Sequence, residues 1–92
     1  MNALLDQFAA SLAEDEDSVT AVIGDHLYVR YANDPAVLKI TCQPGIDEVE
    51  VTFQHIHPEH GPIDRASFTQ TRSQDFSAAL ERLEAYQDIW FP

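Results

Sequence analysis

The chain has 92 residues, of which 45% are hydrophobic, and sixteen acidic side chains against five basic ones give it a formal charge of −11 at pH 7. This length allows one domain with a modest core, and this apolar content is typical of a folded chain. The charge argues against direct nucleic-acid binding, because an acidic surface repels phosphate. We therefore expect residues 1–92 to form a single acidic domain.

The sequence predicts a cytoplasmic protein. It contains no run of the roughly 18 or more apolar residues that a membrane span needs. The opening residues Met1–Asp6 lack the basic side chains that begin a secretory signal. The single cysteine, Cys42, has no partner for a disulfide and lies on the apolar side of a predicted strand, which indicates a reduced core residue.

Residues 3–13 predict a short amphipathic helix with Leu5, Phe8 and Leu12 on one stripe. The acidic run Glu14-Asp15-Glu16-Asp17 follows the helix directly. Two interpretations stay open for this run. It is either a solvated connector or a contact patch for a basic partner.

The next forty residues predict a meander of four strands separated by turn-forming residues. Apolar and polar side chains alternate along three of these strands, which indicates an antiparallel sheet with one dry face and one wet face. The predicted strands are Val19–Ile23, Leu27–Ala32, Ala36–Cys42 and Val49–His57.

The remaining sequence predicts a loop over residues 55–62, a short fifth strand at residues 66–71 and a last helix from about Ser73 to Ile89. Thr71 with Gln74 forms the spacing of a capping box, and Ser73 is a rival cap.

Trp90 and Phe91 at the end of the chain either pack on the core or form a contact with a partner subunit. The fold class is therefore α+β, with a four- or five-stranded antiparallel sheet and the N- and C-terminal helices on one face. The expected core is Leu5, Phe8, Leu12, Leu27, Val29, Tyr31, Leu38, Ile40, Val51, Phe53, Phe76, Leu80, Leu83 and Trp90.

The most catalytic-looking segment is His55-x-His57-x-Glu59-His60. Its spacing resembles the H-x-H-x-D-H loop of metallo-β-lactamase-fold hydrolases, with Glu59 where that family has Asp. The resemblance implies zinc ligands and a metal-bound water as nucleophile. It covers six residues, and His60 is the last histidine of the chain. We predict a histidine-bearing loop without metal, and the alternative is a simple chelating site formed by the same side chains.

Further catalytic patterns do not occur in this sequence. Neither Cys42 nor any serine lies in a G-x-S-x-G context, and the three glycines are too scattered for a phosphate-binding loop. We therefore expect a protein that is not an enzyme and needs no cofactor.

The acidity is concentrated in the first two thirds of the chain, and it is the property that the function has to account for. In size and charge the chain resembles the small acidic inhibitors that phages encode against CRISPR–Cas and restriction enzymes. This resemblance implies an anti-CRISPR-like or anti-restriction protein that acts in the host cytoplasm by DNA mimicry, occupying the basic surface of a Cas or other DNA-binding complex. The residues expected to bind that partner are Glu14, Asp15, Glu16, Asp17, Asp25, Asp47, Glu48 and Glu50. If the run at residues 14–17 lies on one surface with Asp47, Glu48 and Glu50, the seven carboxylates form a stripe.

Two alternatives to DNA mimicry stay open. The helix–strands–helix order and the charge also resemble small type III secretion chaperones, and an immunity protein against a basic toxin would use its acids in the same way. The second alternative is simple adaptation to high salt, with no particular partner. The open sheet edge and the terminal aromatic residues are also consistent with a homodimer.

Overall fold

The computed structural model describes residues 2–92 and contains two helices and five strands. In chain order these are α1 (Ala3–Ala13), β1 (Ser18–Ile23), β2 (His26–Tyr31), β3 (Val37–Pro44), β4 (Glu48–His57), β5 (Gly61–Thr71) and α2 (Phe76–Trp90). Each strand pairs with the next in antiparallel orientation, so the sheet order is β1-β2-β3-β4-β5. The predicted α+β fold is confirmed, and the sheet has five strands. Within residues 2–92, neither helix has the length and hydropathy that crossing a membrane requires.

One face of the sheet, the packed face, carries the core. Leu27, Ile40 and Phe53 are aligned across three neighbouring strands and are fully buried. Leu38 is equally buried, so the predicted register of β3 is confirmed. Most of the expected core is buried, but Tyr31, Phe76 and Leu80 are half-buried and pack at its margin. Burying this apolar face is the main favourable contribution to folding.

Both helices lie on the packed face and run in the same direction. The Asn2 side chain caps α1 by accepting from the backbone N–H of Leu5, and it donates to the carbonyl of Cys42 near the end of β3. At the other end of α1, the carbonyl of Leu12 accepts from the hydroxyl of Ser18 at the start of β1. The second helix, α2, begins beside the end of β5 and finishes where Trp90 reaches the start of that strand.

The C-terminal half differs from the prediction at two places. The strand β5 begins at Gly61, not at residue 66, so the predicted loop 55–62 reduces to the short turn at residues 58–60. Pro62 is tolerated in β5 because this is an edge strand, where a missing N–H need not break a second ladder. The capping prediction was wrong. Thr71 and Gln74 form a separate turn, and the N-cap of α2 is Asp75, which accepts from the backbone N–H of Ser77.

We predict that Phe53→Ala lowers the free energy of unfolding by about 3–5 kcal/mol, because it empties a fully buried site at the centre of the core. Chemical denaturation measures this change. The control is Ile46→Ala in the turn between β3 and β4, where the side chain is 88% exposed and the expected change is within about 0.5 kcal/mol. Equal losses for both variants would show that this register of the core is wrong.

A second prediction concerns Cys42, the buried thiol on β3. Burial, with a smaller contribution from the charge of Asp25, raises the pKa of this thiol from 9.0 to about 12. A thiol-specific reagent at pH 8 should therefore label the folded protein far more slowly than the denatured protein. The folded thiol stays protonated where the unfolded one ionises, so stability should also fall as the pH rises from about 9 towards 12. Cys42→Ala should lose less stability over this range, and rapid labelling of the native protein would contradict the prediction.

Candidate functional site

The acidic run after α1 forms an ordered turn. The backbone N–H of Asp17 donates to the carboxylate of Asp15 at 2.9 Å, and the hydroxyl of Ser18 donates to the carbonyls of Leu12 and Asp15. One carboxylate of the run thus stabilises the turn itself. All four acidic side chains of residues 14–17 are exposed, which makes the run a fixed and solvent-accessible negative surface.

Two other turns, at residues 32–36 and 58–60, lie at the same end of the sheet as the acidic run at residues 14–17. We call this end the connector end. The carbonyl of Asp17 accepts from the backbone N–H of Ala32 at 2.7 Å, which joins the acidic run to the turn between β2 and β3. In that turn Asn33 has a φ of 67°, and the carboxylate of Asp34 accepts from the backbone N–H of Ala36. Asp34 and the exposed Glu59 therefore add two carboxylates to the connector end.

A cleft of about 540 Å³ opens between the acidic run and the turn that follows β2. The acidic residues Glu16, Asp17 and Asp34 line it, together with the apolar residues Val19 and Pro35. The guanidinium-bearing Arg30 also lines the cleft, so one positive charge faces three negative ones. The cleft suits a cationic side chain with an apolar stem, such as lysine or arginine.

The other predicted partner-binding residues lie at the opposite end of the sheet. Asp25 is in the two-residue turn between β1 and β2, where Gly24 supplies the positive φ that such a turn requires. Asp47 and Glu48 are at the turn between β3 and β4, and Glu50 lies two residues further along β4. All four side chains are exposed.

The structure therefore divides the predicted acidic surface in two. The six residues of β1 lie between Asp17 and Asp25, and a strand of this length spans roughly 20 Å at about 3.3 Å per residue. Electrostatic screening at physiological salt acts over about 8 Å, so the two ends act as separate charged sites. The single stripe of seven carboxylates does not form in this fold, because strand direction decides which turns lie at the same end and the charge of the sequence does not reveal it.

The face of the sheet away from the helices, the open face, concentrates the positive charge. Tyr28, Lys39, Gln54 and Arg65 form one row across four strands, and Arg30 lies in the next row. The ammonium of Lys39 lies 5.8 Å from the centre of the Tyr28 ring, within the range of a cation–π interaction. Three of the five basic residues thus share one face with Glu50, whereas most of the acids lie at the ends of the sheet and on the helices.

The terminal aromatic residues are packed on the protein itself. The indole of Trp90 is 7% exposed, stacks on the His55 ring at 5.6 Å and donates to the carboxylate of Asp64 at 3.1 Å. The Phe91 ring lies 4.8 Å from both His55 and Tyr31. Burial raises the pKa of Tyr31, whose hydroxyl accepts from the Gln87 amide, and the charge of Asp15 raises it further. Of the two interpretations of this end of the chain, packing on the core is the one the structure shows.

The histidines of the β4–β5 segment have separate roles. His55 stacks on Trp90, as described, whereas the His57 and His60 rings stack on each other at 4.7 Å. A ring nitrogen of His57 also accepts from the backbone N–H of Glu59 at 3.1 Å. Across residues 2–92, no three His, Cys, Asp or Glu side chains lie together in an arrangement that could hold a metal ion.

Compared with protein-family models, with curated proteins and with solved structures, the chain matches none. Two features of the site were not found from the sequence: the cleft at the connector end, and the position of Arg65 on the open face.

We predict that the purified protein, equilibrated with zinc and then dialysed, retains no stoichiometric metal, because His55 and His57 already have partners in the fold. His60→Ala removes only the stacking of an exposed ring on His57, so it should change the thermal unfolding temperature little with or without zinc, whereas His55→Ala should lower it more by removing the stacking on the buried Trp90. Elemental analysis and thermal unfolding measure the two effects. Tight zinc binding that His60→Ala abolishes would reverse this prediction.

Proposed function

We propose that this chain is a non-enzymatic binding protein that occupies a basic surface of a nucleic-acid-processing partner and competes there with DNA. The observation that supports the proposal is the distribution of charge over the fold. Acids gather at both ends of the sheet, while three of the five basic residues lie on its open face. A carboxylate surface held in place by the turns described above avoids part of the ordering cost of binding.

The connector end is the stronger of the two acidic ends as a binding surface. It carries the whole run Glu14–Asp17 together with Asp34 and Glu59, and its turns are held by backbone hydrogen bonds. The opposite end carries its acids on three separate turns, and the exposed Arg72 offsets one of these charges. Carboxylates of this density speed the encounter with a basic partner at low salt, and the effect weakens as salt rises.

A second candidate function is that of a chaperone or immunity protein for one cognate basic protein. The observation that favours it is the exposed apolar edge of β1, where Val19 and Ile23 are 75% and 63% exposed. Competition by duplex DNA distinguishes the two functions. A mimic's partner is displaced by DNA, whereas a chaperone or immunity partner without a nucleic-acid site is not.

We predict that the triple variant Glu14→Lys, Glu16→Lys and Asp17→Lys binds the partner at least about tenfold more weakly than the unmodified protein. Three exposed ion pairs contribute about 0.2–1 kcal/mol each, and their reversal adds repulsion. Asp15 is kept because its carboxylate stabilises the turn. The assay is capture from a lysate of the source cell at low and high salt, followed by addition of duplex DNA.

The matched control is Asp6→Lys, Asp47→Lys and Glu48→Lys, three exposed acids at the opposite end of the sheet, which changes the net charge by the same amount. It should retain binding. Equal loss in both variants would show that only net charge matters, and unchanged capture by the connector-end variant would refute the proposed site. Release of the captured protein by duplex DNA supports the mimic, and retention favours the chaperone or immunity function.

A further inference from the structure

Strand β1 is an edge strand with an unusual composition for its position. Its six residues Ser18–Ile23 contain neither a charged residue nor a proline, and three of them are β-branched apolar residues. Val19, Val22 and Ile23 are between 51% and 75% exposed. Proteins usually protect an edge strand with lysine, proline or a bulge, because an unprotected edge pairs with other strands. An edge without such protection is suited to binding a further strand.

The hydrogen-bond phase of β1 shows which backbone groups are directed outward. The carbonyl of Asp17 accepts from Ala32, so Asp17 faces β2. In an antiparallel pair, every second residue of a strand directs its backbone N–H and C=O towards the partner strand. The backbone groups of Val19, Ala21 and Ile23 therefore also point towards β2. The backbone groups of Thr20 and Val22 and the carbonyl of Ser18 therefore point away from the sheet, while the N–H of Ser18 donates to Asp15. They form a row of donors and acceptors for an additional strand.

The acidic cleft lies beside one end of this edge. Val19 is on the open face, pairs with Arg30 and lines the cleft together with Glu16 and Asp17. A side chain on the open face of a strand added next to Val19 would reach the cleft. The other end of the edge is bounded by Asp25. The edge is thus apolar in its middle and acidic at both ends.

We propose that the β1 edge binds an extended segment of a protein partner as a sixth strand, with a lysine or arginine of that segment in the cleft. Alternating apolar side chains of the segment cover Val19 and Ile23 on the open face, and its backbone pairs with the outward groups of Ser18, Thr20 and Val22. This inference rests on the proposed function in one respect, that the partner is a protein with basic residues.

A second copy of this chain fits the edge less well. An antiparallel pair of β1 strands centred on Ala21 would place Val19 opposite Ile23, but it would also bring Asp17 of each copy towards the turn that carries Asp25 of the other. Like charges close together at both ends destabilise such a pair. Each copy also carries a formal charge of −11, which adds repulsion between the two. A segment with a basic residue at each end would instead place positive charges beside Asp17 and Asp25.

The test uses two short synthetic peptides of alternating valine and threonine, one with arginine at each end and one with glutamate at each end. Fluorescence anisotropy of the labelled peptides measures binding. The arginine peptide should bind and the glutamate peptide should not. Thr20→Pro should weaken binding by about three- to tenfold, because it removes an outward donor that β2 does not use. Val22→Lys is the second edge variant, should the proline unfold the chain.

The cleft is tested with Glu16→Gln and Asp17→Asn together, and the matched control is Asp47→Asn with Glu48→Gln at the opposite end. The cleft variant should bind the arginine peptide more weakly and the control should not. Equal binding of both peptides, or full binding by both edge variants, would overturn the inference. Sedimentation of a wild-type dimer that Thr20→Pro dissociates would overturn it too, because the edge would then bind a second copy.

The same variants separate this inference from the proposed function. If Thr20→Pro and Val22→Lys leave capture of the DNA-displaced partner unchanged, the sixth-strand inference fails and the proposed function stands. If the triple reversal of Glu14, Glu16 and Asp17 leaves capture unchanged while the arginine peptide still binds, the proposed function fails and the strand site stands.

Discussion

The contacts of Phe53 with aromatic rings from both helices and from the neighbouring strand hold the two layers of this fold together. Phe53 packs edge-to-face against Phe8 of α1 at 5.9 Å, Tyr86 of α2 at 5.9 Å and Phe68 of β5 at 5.5 Å. Phe8 also packs edge-to-face against Phe76, the first residue of α2, so the two helices contact each other directly. Because both helices are needed to cover one face, the other face and the outer edge of β1 stay accessible.

The candidate surfaces follow from this arrangement and are not independent of one another. The connector end, the cleft and the edge of β1 are adjoining, since Val19 lines the cleft and begins the exposed edge. A single extended segment can therefore contact apolar side chains, backbone groups and carboxylates at once. The acids Asp25, Asp47 and Glu48 lie at the opposite end of the sheet. They would contact a different part of the partner or a longer segment.

The fold was predictable because alternation in β2, β3 and β4 assigns each side chain to a face, and the spacing of Phe76, Leu83 and Trp90 identifies α2. The length of β5 was not predictable from the sequence. Gly61 and Pro62 are residue types that usually occur in loops, and a sheet edge tolerates them only because of the tertiary structure around it. The sequence identifies the acidic residues but not their arrangement in space. Which turns lie at which end depends on strand direction, and the cleft depends on the distance between two turns.

The common direction of the two helices makes the two ends of the sheet electrically unequal. Each helix dipole places about half a negative charge at its C-terminus and half a positive charge at its N-terminus. Both C-termini lie at the connector end, so the dipoles add to the carboxylates there, whereas both N-termini offset the acids at the other end. The protein as a whole therefore has a dipole moment along its strands. The field of a basic partner exerts a torque on it and turns the connector end forward before the two surfaces touch.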